Sequence, residues 1–119
     1  MTTTETKLDA LTAAIRHDIA ACDRAATESM ATLGKIKPNL YDFKKANRLV
    51  AANAYAAFYL RYIETDVTST RDIGRAERLI RFHAYQQKNM LTLDNNSVTA
   101  PGQFMVVNHL DSYVTRFFE

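Results

Sequence analysis

The apolar residues of the first 33 positions recur at a regular spacing, which constrains the fold more than any other feature of the chain. The average of about 3.67 residues per turn keeps them on one face of a straight helix. They are separated by three or four positions throughout: Leu8, Leu11, Ile15, Ile19, Cys22, Ala26, Met30 and Leu33. The spacing predicts a long helix from about Thr3 to Leu33, ended by Gly34.

Three further helices are predicted. The second begins at Asn39, a good N-cap, and runs to about Glu64, and the third runs from near Ser69 to about Leu91. The segment 92–102 is rich in Asn, Ser, Gly and Pro and is predicted to be a loop. Because the 119 residues include only three glycines and two prolines, we expect few turns and long elements.

The segment after this loop has two interpretations. A last helix of roughly 16 residues would carry an apolar stripe at core spacing: Phe104, Val107, Leu110, Val114 and Phe117. Residues 104–107 and 113–118 are also good strand formers, so a short hairpin or a C-terminal strand is the alternative.

These elements predict an all-α fold, a compact bundle of about four helices that forms a single domain over residues 1–119. The second helix is apolar over most of its circumference, so we place it at the centre with the first helix along it. One of its faces carries Phe43, Ala46, Val50, Ala54 and Ala57. Short connections favour antiparallel neighbours.

Several classes of protein are excluded by what the sequence lacks. The most apolar segment, Leu49 to Leu60, is shorter than the roughly 18 residues that a membrane span needs. The N-terminal residues show neither the basic nor the apolar part of a secretory signal. Cys22 is the only cysteine, so no internal disulfide can form. We therefore expect a soluble cytoplasmic protein that does not associate with membranes.

No combination of residues predicts catalysis, a cofactor or a metal. His17, His83 and His109 lack the helical spacing of metal ligands, and no glycine-rich phosphate loop is present. We expect His83 to be a satisfied core residue and Cys22 to be a buried apolar one. His109, Asp111 and Ser112 are too close in sequence to form a triad on a helix. These observations favour a protein that is not an enzyme.

The strongest candidate for function is a pair of basic and aromatic helix faces. The net charge is only +2, but bases cluster in the second and third helices. The predicted binding residues are Lys44, Lys45, Arg48, Tyr55 and Tyr59 on the second helix, with Arg71, Arg75, Arg78, Arg81, Phe82 and Tyr85 on or just before the third.

These faces have three interpretations. Arg and Tyr are enriched at protein–protein hot spots, which favours a regulatory protein, an adaptor or inhibitor, that docks on a larger partner or on a second copy of itself. The alternative is nucleic acid, with cations on phosphates and aromatic rings stacked on bases. In the third, the tyrosines belong to the core and the arginines are simply solvated.

Overall fold

The computed structural model describes residues 4–33, 40–93 and 98–119, which form four helices. These are α1 (Thr4–Leu33), α2 (Leu40–Thr70), α3 (Ile73–Leu93) and α4 (Ala100–Phe118). No strand occurs in the described ranges, so the all-α bundle is confirmed and the strand alternative for the last segment is wrong. Gly34 and Asn39, the predicted helix boundaries, lie outside the described residues.

The apolar seam of α1 is buried over its first two thirds. Leu11, Ile15, Ile19 and Cys22 lie in the core, as the spacing predicts. Met30 continues the same seam but is 60% exposed. The seam therefore extends beyond the part of α1 that the rest of the bundle covers.

Helix α2 packs against all three other helices, as does each helix of the bundle. Its most extensive contact is with α1, and ion pairs join Arg16 to Glu64 and Arg61 to Asp23 across this contact. The residue numbers rise along α1 as they fall along α2, so the two helices are antiparallel. The Arg16, Arg61 and Asp23 side chains are largely exposed, and such ion pairs contribute little to stability.

The buried face of α2 differs from the predicted one. Ala46 and Ala57 are buried as expected, but Ala54 is exposed and Val50 is only partly buried. The deepest side chains recur at positions 56, 60, 63 and 67 and belong to Ala56, Leu60, Ile63 and Val67. An alanine-rich helix has little apolar contrast between its faces, so the neighbouring helices decide which face is buried.

The junction between α2 and α3 lies later than predicted. Ser69 belongs to α2, which continues to Thr70, and Arg71 adopts a left-handed conformation with φ of 50°. Asp72 then caps α3, because its Oδ1 accepts hydrogen bonds from the amides of Gly74 (2.8 Å) and Arg75 (3.2 Å). This capping follows the general rule for Asp at a helix N-terminus.

Helices α3 and α4 take up residues that were predicted to form the loop 92–102. Helix α3 continues to Leu93 and α4 begins at Ala100, with Pro101 and Gly102 in its first turn. Proline is tolerated there because the first amides of a helix have no partner within it. Lys88 in α3 pairs with Asp111 in α4, and the Met90 sulfur lies near the Gln103 amide, which makes the two helices antiparallel.

The core combines residues from all four helices. Its largest fully buried side chains include Leu11, Ile15, Ile80, Leu110 and Tyr113. The predicted core stripe of α4 is confirmed at Val107, Leu110 and Val114, whereas Phe104 is 51% exposed. Ala100 and Gln103, which precede Phe104 in α4, are buried, so Phe104 lies on the uncovered side of a turn that is otherwise packed.

Candidate interaction surface

The contact between α2 and α3 is built from aromatic side chains. The Tyr59 hydroxyl and Nδ1 of His83 share a hydrogen bond of 2.7 Å. Tyr55 stacks on Tyr59 with ring centroids 6.1 Å apart, and Tyr62 meets His83 edge to face at 5.8 Å. Tyr55 and Tyr59 are thus half-buried parts of the helix contact, although both were predicted to be binding residues.

His83 and Tyr59 are uncharged partners in this contact. Burial lowers the pKa of His83, and Asp66 opposes this effect only in part. Burial also raises the pKa of Tyr59. The neutral imidazole and neutral phenol satisfy each other, which confirms the prediction that His83 is a satisfied core residue.

Four aromatic side chains of α2 and α3 are exposed, and we call them the aromatic patch. They are Phe58 (73% exposed), Tyr62 (55%), Phe82 (56%) and Tyr85 (64%). Phe58 and Tyr62 are one turn apart on α2, while Phe82 and Tyr85 are one turn apart on α3. His83 joins Tyr62 to Phe82, because its ring lies 5.8 Å from the rings of both, whereas Tyr85 lines a groove between α3 and α4.

Three arginines precede Phe82, on α3 or just before it. Arg71, Arg75 and Arg78 are exposed, and none of them pairs with an acidic side chain in the described ranges. Arg81 differs, because its Nε donates to Glu77 at 2.9 Å. The helical spacing in the sequence predicts one face of α3 with Ile73, Ala76, Ile80, Ala84 and Gln87, opposite the arginines. Burial of Ala76, Ile80, Ala84 and Gln87 confirms this prediction.

The predicted bases of α2 lie at the other end of the bundle. Lys44, Lys45 and Arg48 are exposed on the first turns of α2 and line a groove against Pro101. Arg48 and Arg71 are separated by about 35 Å along the helix axis, at 1.5 Å per residue. The two basic groups do not form one continuous surface, and the half-buried tyrosines lie between them.

Phe58 and Tyr62 were not among the binding residues predicted from the sequence. Both residues lie in the most apolar stretch of the chain or at its edge, where a core position is the natural expectation. Their one-turn spacing places them on one face, but only the positions of α1 and α3 decide that this face is uncovered.

A second polar cluster joins α1 to α4. The Tyr113 hydroxyl donates to Asp18 Oδ2 at 2.6 Å, and His109 Nδ1 lies 3.3 Å from the same oxygen. His109 Nε2 also lies 4.0 Å from Cys22 Sγ. No sequence signal links these residues, which are up to 95 positions apart.

This cluster contains the residue types of a catalytic triad: a thiol, a histidine and a carboxylate. The Cys22 thiol, however, is poorly suited to nucleophilic attack. Cys22 is 3% exposed. Burial and the neighbouring carboxylates of Asp18 and Asp23 raise its pKa, which disfavours the reactive thiolate. Asp111, by contrast, pairs with Lys88 rather than with His109.

No group of three or more His, Cys, Asp or Glu side chains within residues 4–33, 40–93 and 98–119 is placed to hold a metal ion. Over the same ranges, none of the helices combines the length and the apolar character that crossing a membrane requires.

Comparisons with protein-family models, with curated proteins and with solved structures gave no match.

Proposed function

We propose that this protein is a non-enzymatic regulatory or interaction protein, an adaptor or inhibitor, that docks on a larger protein partner through the aromatic patch. The supporting observation is that Phe58, Tyr62, Phe82 and Tyr85 are each more than half exposed on two adjacent helices. Large apolar patches on a surface mark interaction sites more often than isolated apolar residues do. A cytoplasmic location belongs to the same proposal.

The scaffold below the patch suits a binding role. The Tyr59–His83 hydrogen bond and the stacked tyrosines fix the two helices relative to each other. Exposed rings held on a rigid support lose little conformational entropy when a partner covers them. Tyr and Arg are also the residues that most often dominate interface energetics.

The charge around the patch favours an acidic partner. Arg71, Arg75 and Arg78 lack a carboxylate partner among the described residues, so a partner with Asp or Glu at its rim would neutralise them. A second copy of the chain would place the same arginines near one another. Repulsion between them makes a homodimer through this face less favourable than an acidic partner.

The test compares capture of cellular proteins by the wild type and by matched variants. Phe82→Ala with Tyr85→Ala removes two anchors of the patch, while Phe104→Ala removes a similarly exposed aromatic ring from α4. We expect a partner that the wild type and Phe104→Ala retain and the patch variant loses. With the purified partner, the patch variant should bind about tenfold or more weakly.

Two outcomes would oppose the proposal. One is that every captured protein is retained equally by all three proteins. The other is a stable homodimer in sedimentation experiments that Phe82→Ala and Tyr85→Ala dissociate, which would replace the acidic partner by a second copy of the chain.

The alternative function is binding of nucleic acid. Its support is that six of the seven predicted bases make no ion pair with a described residue. Their division into two distant groups weakens it. Fluorescence anisotropy with labelled single-stranded DNA, duplex DNA and RNA at several salt concentrations tests it, because phosphate contacts give a steep salt dependence. Charge reversal of Arg75 and Arg78 should then weaken binding.

A further inference from the structure

The groove at the start of α2 is lined by three positively charged side chains, which are Lys44, Lys45 and Arg48. None of the three pairs with a carboxylate in the part of the chain that the structure describes, whereas Arg16, Arg61, Arg81 and Lys88 elsewhere all do. Lys44 and Arg48 are one turn apart, so their like charges repel and destabilise the helix. An anion bound between them would relieve this repulsion.

The N-terminus of α4 adds to the attraction for an anion. Pro101 lines the groove and is the second residue of α4, so the N-terminus of that helix lies beside the three bases. The partial positive charge of a helix N-terminus adds to the field of the cationic side chains. A phosphate group carries about two negative charges near neutral pH and matches the guanidinium of Arg48 in geometry.

The floor of the groove is apolar, which indicates that the ligand is more than a bare anion. Leu49, Ala52 and Pro101 form it, and Leu49 is 47% exposed. The small side chains of Ala52 and Pro101 leave a surface that a planar ring can cover. The volume is about 460 Å³, which lies in the usual range for small-molecule sites.

A second groove, between α3 and α4, lacks these properties. Its cations Arg81 and Lys88 already pair with Glu77 and Asp111. Glu119 adds a further negative charge to its lining. Among the described residues, cations without a carboxylate partner therefore line the α2 groove but not this second groove.

We propose that the groove lined by Lys44, Lys45, Arg48, Leu49, Ala52 and Pro101 binds a nucleotide phosphate. The phosphate lies between the three bases, and the nucleobase covers the apolar floor. The ligand is either a free nucleotide or the phosphorylated end of a single strand, which present the same chemistry. This site lies at the opposite end of the bundle from Arg71, Arg75 and Arg78, so it is independent of the proposed docking function.

Calorimetric titration with adenosine monophosphate tests the site, with inorganic phosphate and a 5′-phosphorylated pentanucleotide as further ligands. We expect saturable binding of the monophosphate that weakens with salt. Inorganic phosphate should bind at least tenfold more weakly, because it has no nucleobase to contact the apolar floor of the groove. A pentanucleotide that binds more than tenfold tighter than the monophosphate identifies a strand end as the ligand, and equal affinities identify the free nucleotide.

Matched variants separate the groove from general electrostatic attraction. Lys44→Gln with Arg48→Gln should reduce the affinity for the monophosphate at least tenfold. Arg75→Gln with Arg78→Gln removes the same charge from exposed positions of α3 that pair with no described carboxylate, and should leave the affinity unchanged. Both pairs are on the surface, and thermal melting without ligand confirms that each variant folds.

Three results would overturn the proposal. The first is that neither the monophosphate nor the pentanucleotide binds at a concentration of about 1 mM, which corresponds to a binding free energy of only about −4 kcal/mol. The second is an equal loss of affinity in both variant pairs, and the third is inorganic phosphate binding as tightly as the monophosphate. None of these results bears on capture of a protein partner by the aromatic patch.

Discussion

The close approach of α4 to α2 at Gly102 leads to a specific prediction about stability. Gly102 is buried in the first turn of α4, and its backbone lies directly against Tyr55. A Cβ atom at this position would lie 2.8 Å from both Cβ and Cδ1 of Tyr55. These atoms are close to the α2 backbone, so the clash cannot be relieved by rotating the end of a flexible side chain. Gly102→Ala must therefore push the two helices apart.

The magnitude follows from two opposing effects. Inserting a methyl group into a packed contact costs about 1–3 kcal/mol. Alanine is a better helix former than glycine by about 1 kcal/mol, which offsets part of this cost. Because the new Cβ would lie 2.8 Å from two atoms of Tyr55, we take the upper part of the first range, about 2–3 kcal/mol, and expect a net loss of about 1–2 kcal/mol. For a chain of 119 residues, an unfolding entropy of about 2.1 cal/mol/K per residue converts this loss into a Tm about 4–8 °C lower.

Gly74→Ala is the matched control. Gly74 is the second residue of α3, and a Cβ there would meet only the exposed Asp72 carboxylate at 3.3 Å and the Arg78 side chain at 3.8 Å. The gain in helix propensity of up to about 1 kcal/mol should therefore dominate. We expect this variant to melt at the wild-type temperature or above it.

Urea unfolding and thermal melting, both followed by circular dichroism, measure the two variants. The free energy of unfolding should fall for Gly102→Ala and stay level or rise for Gly74→Ala. If Gly102→Ala is as stable as the wild type or more stable, α2 and α4 do not approach each other as closely as the structure has them. Loss of stability in both variants would instead indicate that glycine is required for its backbone freedom.

Three further predictions concern buried polar groups. Because burial lowers the pKa of His83 below its ordinary value of 6.5, the unfolded chain takes up the proton first. The stability to urea should therefore be highest above pH 6.5 and fall as the pH drops below it, and His83→Asn should flatten this dependence. Tyr113→Phe removes the hydrogen bond to Asp18 and should lower the free energy of unfolding by about 1.5–3 kcal/mol, since the acceptor is a carboxylate. A value within error of the wild type would mean that water replaces the hydroxyl. Gln103 is 3% exposed and its Oε1 has no partner among the described residues, so Gln103→Met should raise the free energy of unfolding by roughly 1 kcal/mol. A loss of stability on this substitution would reveal an unseen partner of the oxygen.

The sequence alone determined the first three helices and the buried faces of two of them, whereas it left the last segment open between a helix and a strand. The three- and four-residue spacing from Leu8 to Cys22 and from Ile73 to Gln87 identified the buried faces of α1 and α3 correctly. These helices are amphipathic, so their own periodicity contains the information. The exposure of the arginines opposite Ala76 and Ile80 followed from the same pattern.

Only the tertiary structure decided the faces of α2 and the ends of the helices. In α2, alanines and aromatic residues surround the axis, and the position of α1 and α3 determined that Tyr59 is covered and Phe58 is not. The third helix, predicted to begin near Ser69, would include Asp72. In the structure α2 continues to Thr70, so Asp72 lies before α3 and caps it.

Sequence patterns could not predict the contacts between residues that are far apart along the chain. Asp18 and Tyr113 meet because α1 and α4 lie side by side, and neither residue belongs to a local motif. The two basic groups occur in consecutive helices of the sequence. They nevertheless lie at opposite ends of the bundle, because the length of α2 separates them. A pattern along one helix reports which side chains share a face, whereas the packing of several helices decides which faces meet.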